Sequence, residues 1–509
     1  MTTDSTALPA AKSKRGQWMA LSAALLGWMF DGLEMGLFPL IARPALRDLL
    51  GTQDEATIGQ WFAIITAVFL IGAATGGVLF GWLGDRIGRV RAMMISIVTY
   101  AIFSGICGLA TDATQVAIFR FVAALGMGGE WSLGVALVME IWPNKSRAML
   151  AGVIGAAANM GYMVIALAGL GLNAFIGDLH QLLLDVGVSA EMTEKLTRNS
   201  GWRLLMLFGV FPAFLAILIQ IFVPESHKWE EEKKKGSTSF WETRDLIGVL
   251  IGAVAALGMI ALWALDVPWI LRIAGSAVAL TIVTIGYLYP IRRYLHRQGA
   301  TNTLTAAQNR SLDSRTIRRM LLAAALSGVA LLGTWGSTQW IPVWVDKMTG
   351  GTMPNAKAYT QMATAIGAIV GCIAAALVGD WLGRRVTYAL LCVASMVSVF
   401  TLFQFNSQYG MQLVLWAFAT GATTAAFYGW LPLYLPELFT TRVRATGQGF
   451  GFNFGRILAA VGVLQLPIIM REFKVGYETA CPAMSLIYVV GFIIIWFAPE
   501  TKGQPLPED

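Results

Sequence analysis

The sequence predicts an all-α membrane protein in which two related six-helix bundles are joined by an inserted two-helix hairpin, with about 14 transmembrane helices in total. Of the 509 residues, 56% are hydrophobic and only 13% are charged, and the mean hydropathy is +0.63. A water-soluble core cannot absorb that much apolar surface. Apolar runs of spanning length recur along the chain, and short motifs recur in the same order in its two halves, which indicates a duplication.

The repeated motifs lie in loops between apolar runs. The loop 84–89 (GDRIGR) is matched by 379–384 (GDWLGR), about three hundred residues later. Further residues of the first half have counterparts in the same order in the second: Glu140 with Glu437, Arg147 with Arg444, and the sequence PES at 224–226 with PET at 499–501. Two halves of the same fold that face each other are typical of membrane transport proteins.

Runs of spanning length define the two halves, since a bilayer core of about 30 Å needs about 20 apolar residues in a helix. The first six runs lie near 18–41, 58–80, 92–111, 115–141, 148–172 and 202–223. The second six lie near 319–345, 360–378, 386–405, 411–435, 445–470 and 477–498. Between the halves, 246–265 and 268–289 are separated by little more than Asp266 and Val267. These two runs predict the inserted hairpin.

Basic residues in short loops predict the orientation of the chain. They follow the second span, the fourth span and the hairpin, all on one side, which the positive-inside rule assigns to the cytoplasm. The longest loop on the opposite side is expected at about 173–201. We expect a multi-pass protein of the plasma membrane, of the bacterial inner membrane type, with both termini cytoplasmic. The predicted segments are a tail 1–17, a bundle 18–223, a linker 224–245, the hairpin 246–290, a basic loop 291–318, a bundle 319–498 and a tail 499–509.

Enzymatic chemistry is not indicated by any motif in the sequence. It contains no nucleophile and base arrangement, Walker sequence, metal-ligand cluster or dinucleotide fingerprint, so we expect no enzyme, no cofactor and no metal. The three histidines lie outside the predicted spans, which leaves carboxylates as candidates for a proton relay. The net charge of +7 comes from residues between apolar spans, so nucleic acid is not an expected partner.

Several of these motifs resemble those of a known superfamily. The stretch 81–89 (GWLGDRIGR), the pattern Glu140, Pro143 and Arg147, and both PES/PET sequences resemble the major facilitator superfamily, over roughly 18–230 and 318–503. The stretches 31–34 (DGLE), 126–131 (GMGGEW), 140–143 (EIWP) and 379–383 (GDWLG), with the extra hairpin, resemble the sialate:proton symporters. Glu34 stands where that family usually has Asp, and Arg456 is more similar to the aromatic-acid:proton and organic-anion branches. The resemblance implies the major facilitator fold and sialic acid as the leading substrate.

Charged residues inside apolar helices are the first candidates for function, since a lone charge at the bilayer centre costs at least about 2.5–3.5 kcal/mol. Asp31 and Glu34 lie at i and i+3 and therefore on one face of the first helix. At about 1.5 Å of rise per residue, Asp31 and Arg120 lie at nearly the same depth. We expect an Asp31–Arg120 contact and assign proton coupling to Asp31 and Glu34. The alternative is a static ion pair.

Arg456 is the charged residue that lies deep inside an apolar span of the second half, roughly 18 Å into that span and close to the membrane midplane. Aligning the halves at Arg147 and Arg444 places Asn159 at the equivalent position, so one half offers an amide where the other offers a guanidinium. Such asymmetry suits a solute with one charged end. The residues expected to bind substrate are Arg120, Arg456, Asn159, Tyr162, Gln339 and Asn453. Alternatives remain open: Arg456 can bond backbone carbonyls or a buried acid such as Glu130, and the neutral residues can bond between helices.

A third group of charged residues flanks the ends of predicted helices, in and near the repeated loops. Salt bridges between the halves and helix dipoles at these ends can hold one side closed. The residues assigned to gating are Asp85, Arg86, Arg89, Glu140, Arg147, Asp380, Arg384, Glu437 and Arg444.

Together these features predict a secondary transporter that imports an organic carboxylate, sialic acid or a related acid, with protons by alternating access. The expected partners are a small organic anion, protons and the lipid bilayer, and a monomer is expected. The alternatives are a sugar or aromatic-acid carrier, a proton-driven drug antiporter, and a nontransporting nutrient sensor on the same scaffold.

Overall fold

The computed structural model describes residues 14–142, 147–265, 267–299, 306–350, 352–440 and 443–507, and within these ranges all regular structure is helical. Twelve helices are long and apolar enough to cross a membrane. The predicted all-α fold is confirmed. Pro143, Asp266, most of the predicted N-terminal tail and residues 300–305 of the basic loop lie outside the described residues.

The first half and the hairpin form ten helices. They are α1 (Lys14–Leu50), α2 (Glu55–Ile87), α3 (Arg89–Cys107), α4 (Ala113–Ile141), α5 (Arg147–Asp185), α6 (Ala190–Phe208), α7 (Ala213–Phe222), α8 (His227–Lys234), α9 (Leu246–Ala264) and α10 (Trp269–Gly299). Much of the loop predicted at 173–201 is helical, because α5 continues to Asp185 and α6 begins at Ala190.

The described residues of the second half form nine helices. They are α11 (Ala306–Gly336), α12 (Ile341–Met348), α13 (Ala356–Leu382), α14 (Arg384–Gln404), α15 (Met411–Thr424), α16 (Phe427–Tyr434), α17 (Arg444–Phe473), α18 (Tyr477–Ser485) and α19 (Ile487–Ile494).

Two of the predicted spans are broken so that neither forms a helix long and apolar enough to cross a membrane, which explains why twelve and not fourteen candidate spans are found in the described residues. The run 202–223 is broken between α6 and α7, and the run 411–435 is broken between α15 and α16. The run 319–345 is also interrupted, between α11 and α12, by a short 3₁₀ segment. The fourteen predicted runs thus correspond to twelve candidate spans and two broken runs in the described chain.

Glycines permit the closest helix contacts. A Cβ on Gly32 of α1 would lie 1.8 Å from the Ala158 carbonyl oxygen of α5. The corresponding contact in the second half joins Gly328 of α11 to Gly455 of α17, where a Cβ on Gly455 would lie 2.6 Å from the Gly328 nitrogen. Small residues at helix crossings allow this backbone approach in membranes. The two halves meet along two seams, α2 against α17 and α5 against α13.

The PES and PET sequences stabilise the start of a distant helix. Glu225 accepts hydrogen bonds from the backbone nitrogens of Arg89 (2.9 Å) and Val90 (3.1 Å) at the start of α3. Glu500 accepts from Arg384 (3.0 Å) and Arg385 (3.1 Å) at the start of α14. A carboxylate at a helix N-terminus satisfies unpaired N–H groups and interacts favourably with the helix dipole.

Each of these helix starts follows a tight turn at a glycine of the repeated loop. Gly88 has φ of 114° and Gly383 has φ of 104°, a region that residues with a Cβ rarely adopt. A Cβ on Gly88 would also lie 2.3 Å from a Glu225 carboxylate oxygen. The second glycine of the loop motif is therefore required both by the turn and by the capping carboxylate.

The hairpin of α9 and α10 packs on the outside of the α2–α17 seam. The hydroxyl groups of Thr75 on α2 and Tyr287 on α10 are 2.6 Å apart. Arg272 is buried near the start of α10, and its Nη2 donates to the Leu265 carbonyl oxygen at 2.8 Å.

Candidate functional site

A cavity of about 80 Å³ lies between the two halves. Helices α1 and α5 of the first half and α11, α12, α13, α15, α16 and α17 of the second half contribute to its wall. Its aromatic and polar lining residues are Trp28, Asn159, Tyr162, Thr334, Trp335, Thr338, Gln339, Gln361, Thr364, Thr424, Tyr428, Phe452 and Arg456.

Two interrupted helices contribute to this wall. Thr338 and Gln339 lie in the 3₁₀ segment between α11 and α12, and Thr424 and Tyr428 lie on either side of the break between α15 and α16. Non-helical backbone at membrane depth is tolerated where it lines a cavity, because its polar groups can then be satisfied by water or solute. The breaks therefore coincide with the place where a solute can be accommodated.

Arg456 is the cation of the cavity wall. It is only 3% exposed, and its guanidinium lies 5.3 Å from the centre of the Phe452 ring. Among the described residues, neither its Nε nor its Nη1 has a hydrogen-bond partner. Buried guanidinium groups are normally paired. The arrangement leaves donors for an acceptor that enters the cavity.

Two carboxyl groups lie beside one another near this arginine. Asp31 and Glu130 are within hydrogen-bonding reach, and Asp31 also interacts electrostatically with Arg456. Glu130 packs against α1 one turn before Asp31, where a Cβ on Gly27 would lie 1.5 Å from its Oε1. Neither Glu130 oxygen accepts a hydrogen bond from any donor in the described chain. Two carboxyl groups can hydrogen-bond to each other only when one of them is protonated.

A second ion pair lies one turn further along α1. Arg120 Nη1 donates to Glu34 Oε1 at 2.9 Å, and both side chains are 2% exposed. The guanidinium also lies 5.0 Å from the Phe38 ring centre and 4.5 Å from that of Phe69. The predicted Asp31–Arg120 contact is therefore wrong, because Arg120 pairs with the carboxylate three residues later on the same face.

The two halves are connected at the end that carries the Asp85 loop, which we call the motif end. Asp85 accepts a hydrogen bond from the Thr446 backbone nitrogen at 3.2 Å and another from its hydroxyl group. Asp85 also pairs with Arg89 at 2.9 Å, and Glu140 lies 3.6 Å from Arg89. Arg444 of the second half lies 3.9 Å from Glu140. A network of charges thus crosses the α2–α17 seam.

The second copy of the loop is arranged differently. Arg384 pairs with Glu437 at 2.8 Å and with Asp380 at 3.4 Å, both within the second half. The Asp380 side chain is 60% exposed, whereas that of Asp85 is 2% exposed. In the alignment of the halves, Met149 stands where the second half has Thr446, so the first half offers Asp380 no hydroxyl group.

The halves are also connected at the other end of the bundle, which we call the opposite end. Arg43 of α1 forms an ion pair with Asp346 of α12. Inside the bundle, Gln339 donates to the Tyr162 hydroxyl group at 2.8 Å. Contacts between the halves therefore lie on both sides of the central cavity.

Comparison with models of protein families shows which family the chain belongs to. The family model for "Sugar (and other) transporter" matches residues 20–243 and 409–508, more than half of the chain. The chain belongs to this family of major facilitator transporters. The predicted superfamily is confirmed, and the protein is a multi-pass membrane transporter and not an enzyme.

Similar proteins cover nearly the whole transporter. The cis,cis-muconate transport protein of Acinetobacter baylyi is 26% identical over 96% of this chain and 95% of its own length. The niacin transporter NiaP of Acinetobacter baylyi is 24% identical (94% and 93%), and the sialic acid transporter NanX of Escherichia coli is 23% identical (94% and 94%). The solved structure of the proton:xylose symporter XylE bound to 6-bromo-6-deoxy-D-glucose has a TM-score of 0.65, with 16% identity over 96% of this chain and 98% of XylE.

The transporter brings four of the six predicted binding residues together. Asn159, Tyr162, Gln339 and Arg456 all line the central cavity. Arg120 does not, because it is held by Glu34 and the two aromatic rings. Asn453 does not either, and its amide nitrogen donates to the carbonyl oxygens of Gly128 (3.1 Å) and Gly449 (3.0 Å). Arg120 and Asn453 therefore lie outside this cavity wall, and their assignment to substrate binding stays a prediction.

Of the nine predicted gating residues, Glu140 and Arg444 form an ion pair across a seam in the described chain, at 3.9 Å. Arg86 lies 5.0 Å from the centre of the Trp82 ring in its own half. Asp380 and Arg384 form their ion pairs within the second half. Arg147 reaches the C-terminal segment, where its Nη2 donates to the Gln504 carbonyl oxygen at 3.1 Å. Bridging between the halves is therefore concentrated at Asp85, Glu140 and Arg444.

Glu130 is the most informative residue missing from the predicted coupling group. The sequence offered a signal for it, since it is a carboxylate inside the apolar fourth span, as Asp31 is inside the first. The missed cavity residues are neutral: Trp28, Gln361, Thr424 and Tyr428 look the same in the sequence as residues that pack between helices.

Proposed function

We propose that this transporter moves a small organic carboxylate across the membrane together with protons, by alternating access. The observation that carries the proposal is Arg456, a buried guanidinium in the wall of the central cavity whose Nε and Nη1 lack partners in the described chain. The planar guanidinium fork matches the two oxygens of a carboxylate. A neutral sugar offers no charge to balance the buried cation.

The remaining wall indicates what the body of the solute resembles. Trp28, Tyr162, Trp335, Tyr428 and Phe452 supply aromatic surface around the cavity. Such walls favour flat, unsaturated molecules. Muconate and niacin, named for two similar transporters, combine a carboxylate with a flat body. Sialic acid, named for a third, is a carboxylate with many hydroxyl groups. We therefore rank flat acids ahead of sialic acid as substrates.

Proton coupling is assigned to Asp31 together with Glu130. Asp31 interacts with the Arg456 guanidinium and Glu130 lies beside Asp31 in the same buried site, so one negative charge is left over unless a proton is bound. With the proton present, Arg456 is free to bind the carboxylate of the substrate. Without it, Asp31 competes with the substrate for the same cation. This competition links the two binding events, whereas Glu34 is already neutralised by Arg120.

The motif end is assigned to gating. Asp85, Glu140 and Arg444 connect the halves there, and their separation would open the cavity towards that end. Following the positive-inside rule, we assign the motif end to the cytoplasm and the protein to the plasma membrane.

The test is uptake into proteoliposomes that contain the purified protein. Radiolabelled niacin, cis,cis-muconate, sialic acid and xylose are offered with and without an inward proton gradient. We expect gradient-stimulated uptake of at least one acid. Arg456→Gln should reduce it at least tenfold, since a charged hydrogen bond contributes about 1.5–3 kcal/mol.

Arg471→Gln is the matched control, because Arg471 lies on the same helix, α17, and its side chain is 64% exposed. It should leave uptake unchanged. Uptake of xylose alone, or uptake of an acid that ignores both the gradient and Arg456, would rule out the proposal and favour a facilitated sugar carrier.

A further inference from the structure

A second polar cavity lies at the opposite end, separate from the central one. Its volume is about 220 Å³, and its wall is formed by α1, α5, α6 and the segments around α12 and α13. Three of its lining residues are cations, Arg43, Arg47 and Lys357, and one is an acid, Asp346. Neutral hydrogen-bonding groups are provided by Asn173 and Ser200.

The three cations have fewer acidic partners than positive charges. Asp346 pairs with Arg43 and lies 3.8 Å from Lys357. Glu55, at the start of α2, is shared between Arg43 and Arg47, at 2.7 Å from each. Three positive charges are thus balanced by two negative ones. Among the described residues, the buried Nε of Arg47 has no hydrogen-bond partner.

Two of the contacts within this group are weak, Lys357 with Asp346 and Arg47 with Glu55. A separation of 3.8 Å between Lys357 and Asp346 is an ion pair without a normal hydrogen bond. The Arg47 and Glu55 side chains are 35% and 45% exposed, and pairs of such exposed groups contribute about 0–1 kcal/mol. The Arg43–Asp346 pair is closer and more buried, with side chains 13% and 15% exposed, but an incoming carboxylate supplies Arg43 with the same negative charge that Asp346 supplies.

We propose that this cavity is an access site that binds the carboxylate of an organic acid on its way to the central cavity. The carboxylate takes the place of Asp346 beside Arg43 and Lys357. Because Arg43 belongs to the first half and Asp346 to the second, the exchange removes an ion pair that joins the halves at this end. Binding at the access site is thereby linked to opening of the opposite end.

The inference rests on the proposed function for the chemistry of the anion, and the first experiment separates the two. Purified protein carrying Arg456→Gln, which disables the central guanidinium, is treated with an amine-acetylating reagent, and the modification rate of Lys357 is followed by mass spectrometry. The probes are niacin, cis,cis-muconate, benzoate and sialic acid, each against chloride at the same ionic strength.

We expect at least one acid to slow acetylation of Lys357 threefold or more, while exposed Lys474 reacts at an unchanged rate. The same acid should no longer protect Lys357 when Arg47→Gln is added. Protection by none of the four acids, or equal protection with and without Arg47, overturns the access site. Protection without any uptake by the wild-type protein supports the access site and contradicts the proposed function.

A kinetic test applies once an acid is transported. Arg47→Gln with Lys357→Gln should raise KM about tenfold with kcat unchanged, because the two cations attract the substrate without taking part in the central site. The variant should also lose much of the dependence of KM on ionic strength, since screening acts on exposed charges. An unchanged KM with the same salt dependence as Arg471→Gln would contradict the proposal.

Discussion

Glu130 and Asp31 place two carboxyl groups side by side in a region where a single charge is costly. We propose that the pair holds one proton, and Glu130→Gln tests this at the scale of one residue. The amide preserves the shape and can still hydrogen-bond to Asp31, but it cannot accept a second negative charge. We expect gradient-driven uptake to fall at least tenfold, while exchange of labelled for unlabelled substrate, which requires no net proton movement, persists.

Glu472→Gln serves as the control, because that side chain is 60% exposed. If Glu130→Gln abolished exchange as well, Glu130 would be needed for structure or binding and not for the proton. If both activities were unchanged, Asp31 would carry the proton alone.

At this scale the sequence predicted which residues carry charge into the membrane, but not their pairings. Asp31 and Glu34 are separated by less than one turn, about 4.5 Å along the axis. Estimated helix starts are uncertain by a few residues, so depth alone could not decide which carboxylate meets Arg120. Neutral residues of the cavity carry no such signal, because a tyrosine in the wall has the same sequence context as a tyrosine in the core.

The contact between α1 and α5 depends on the absence of a side chain at Gly32. We expect Gly32→Ala to destabilise the protein by about 1–3 kcal/mol, the usual cost of overpacking, since its Cβ would lie 1.8 Å from a carbonyl oxygen. Thermal unfolding in detergent measures the effect. Gly171→Ala on α5 is the matched control, because nothing lies within 4 Å of its Cβ position. Equal thermal midpoints for the two variants would contradict this account of the helix contact.

The carboxylates that cap α3 and α14, Glu225 and Glu500, are expected to change the stability of the protein with pH in opposite directions. At Glu500, burial opposes ionisation, but the backbone N–H donors outweigh it and the pKa lies below its ordinary value of 4.5. Its contribution to stability is therefore present above about pH 4.5 and is lost as the pH falls through the lower, folded-state pKa. We expect Glu500→Gln to reduce the free energy of unfolding by about 0.5–2 kcal/mol at pH 7, with the difference from wild type vanishing in acid.

Glu225 is the internal comparison. Burial raises the pKa of Glu225 above 4.5 despite its backbone hydrogen bonds. The stability of the protein therefore falls as the pH rises from about 4.5 through the higher, folded-state pKa. Glu225→Gln should consequently be the milder substitution at pH 7. Thermal midpoints from pH 4 to 7 check both variants, and a larger loss for Glu225→Gln would contradict the assignment.

The interrupted helices show where prediction of elements from the sequence fails. The break between α15 and α16 falls at Ala425 and Ala426, and alanine is the best helix former. Hydropathy therefore predicted one continuous span at 411–435. The interruption becomes understandable only from the tertiary structure, because the freed backbone borders the cavity and not lipid.

At the scale of the whole molecule, the two motif loops connect the halves unequally, through Asp85 but not through Asp380. We propose that Asp85 holds the halves together at the motif end, and we expect Asp85→Asn to lower the transport rate several-fold with little change in equilibrium substrate affinity. The reason is that Asp85 contacts Thr446 across the seam and lies far from the central cavity. Uptake rates in proteoliposomes and equilibrium binding measure the two quantities separately.

Asp380→Asn is the matched control from the second copy of the motif. Its carboxylate is 60% exposed and pairs within its own half, so we expect a much smaller effect. Equal effects of the two substitutions, or a large loss of affinity in Asp85→Asn, would argue against a closing role for Asp85.

The duplication was visible in the sequence, and it correctly predicted the two-bundle fold. The equivalent residues Asn159 and Arg456 both line the central cavity. The duplication could not predict that the two motif loops differ in their contacts. That difference depends on a single position across the seam, Thr446 in one half and Met149 in the other, which no motif includes.

The hairpin has a consequence for the lipid that surrounds the molecule. Because α9 and α10 lie over the α2–α17 seam and are joined to α2 through Tyr287, acyl chains are kept away from that flank. Within the described residues, no equivalent pair of helices covers the α5–α13 seam. The bilayer is therefore expected to border a junction between the halves on one flank only, so a change in lipid composition or thickness would act on one seam more than on the other.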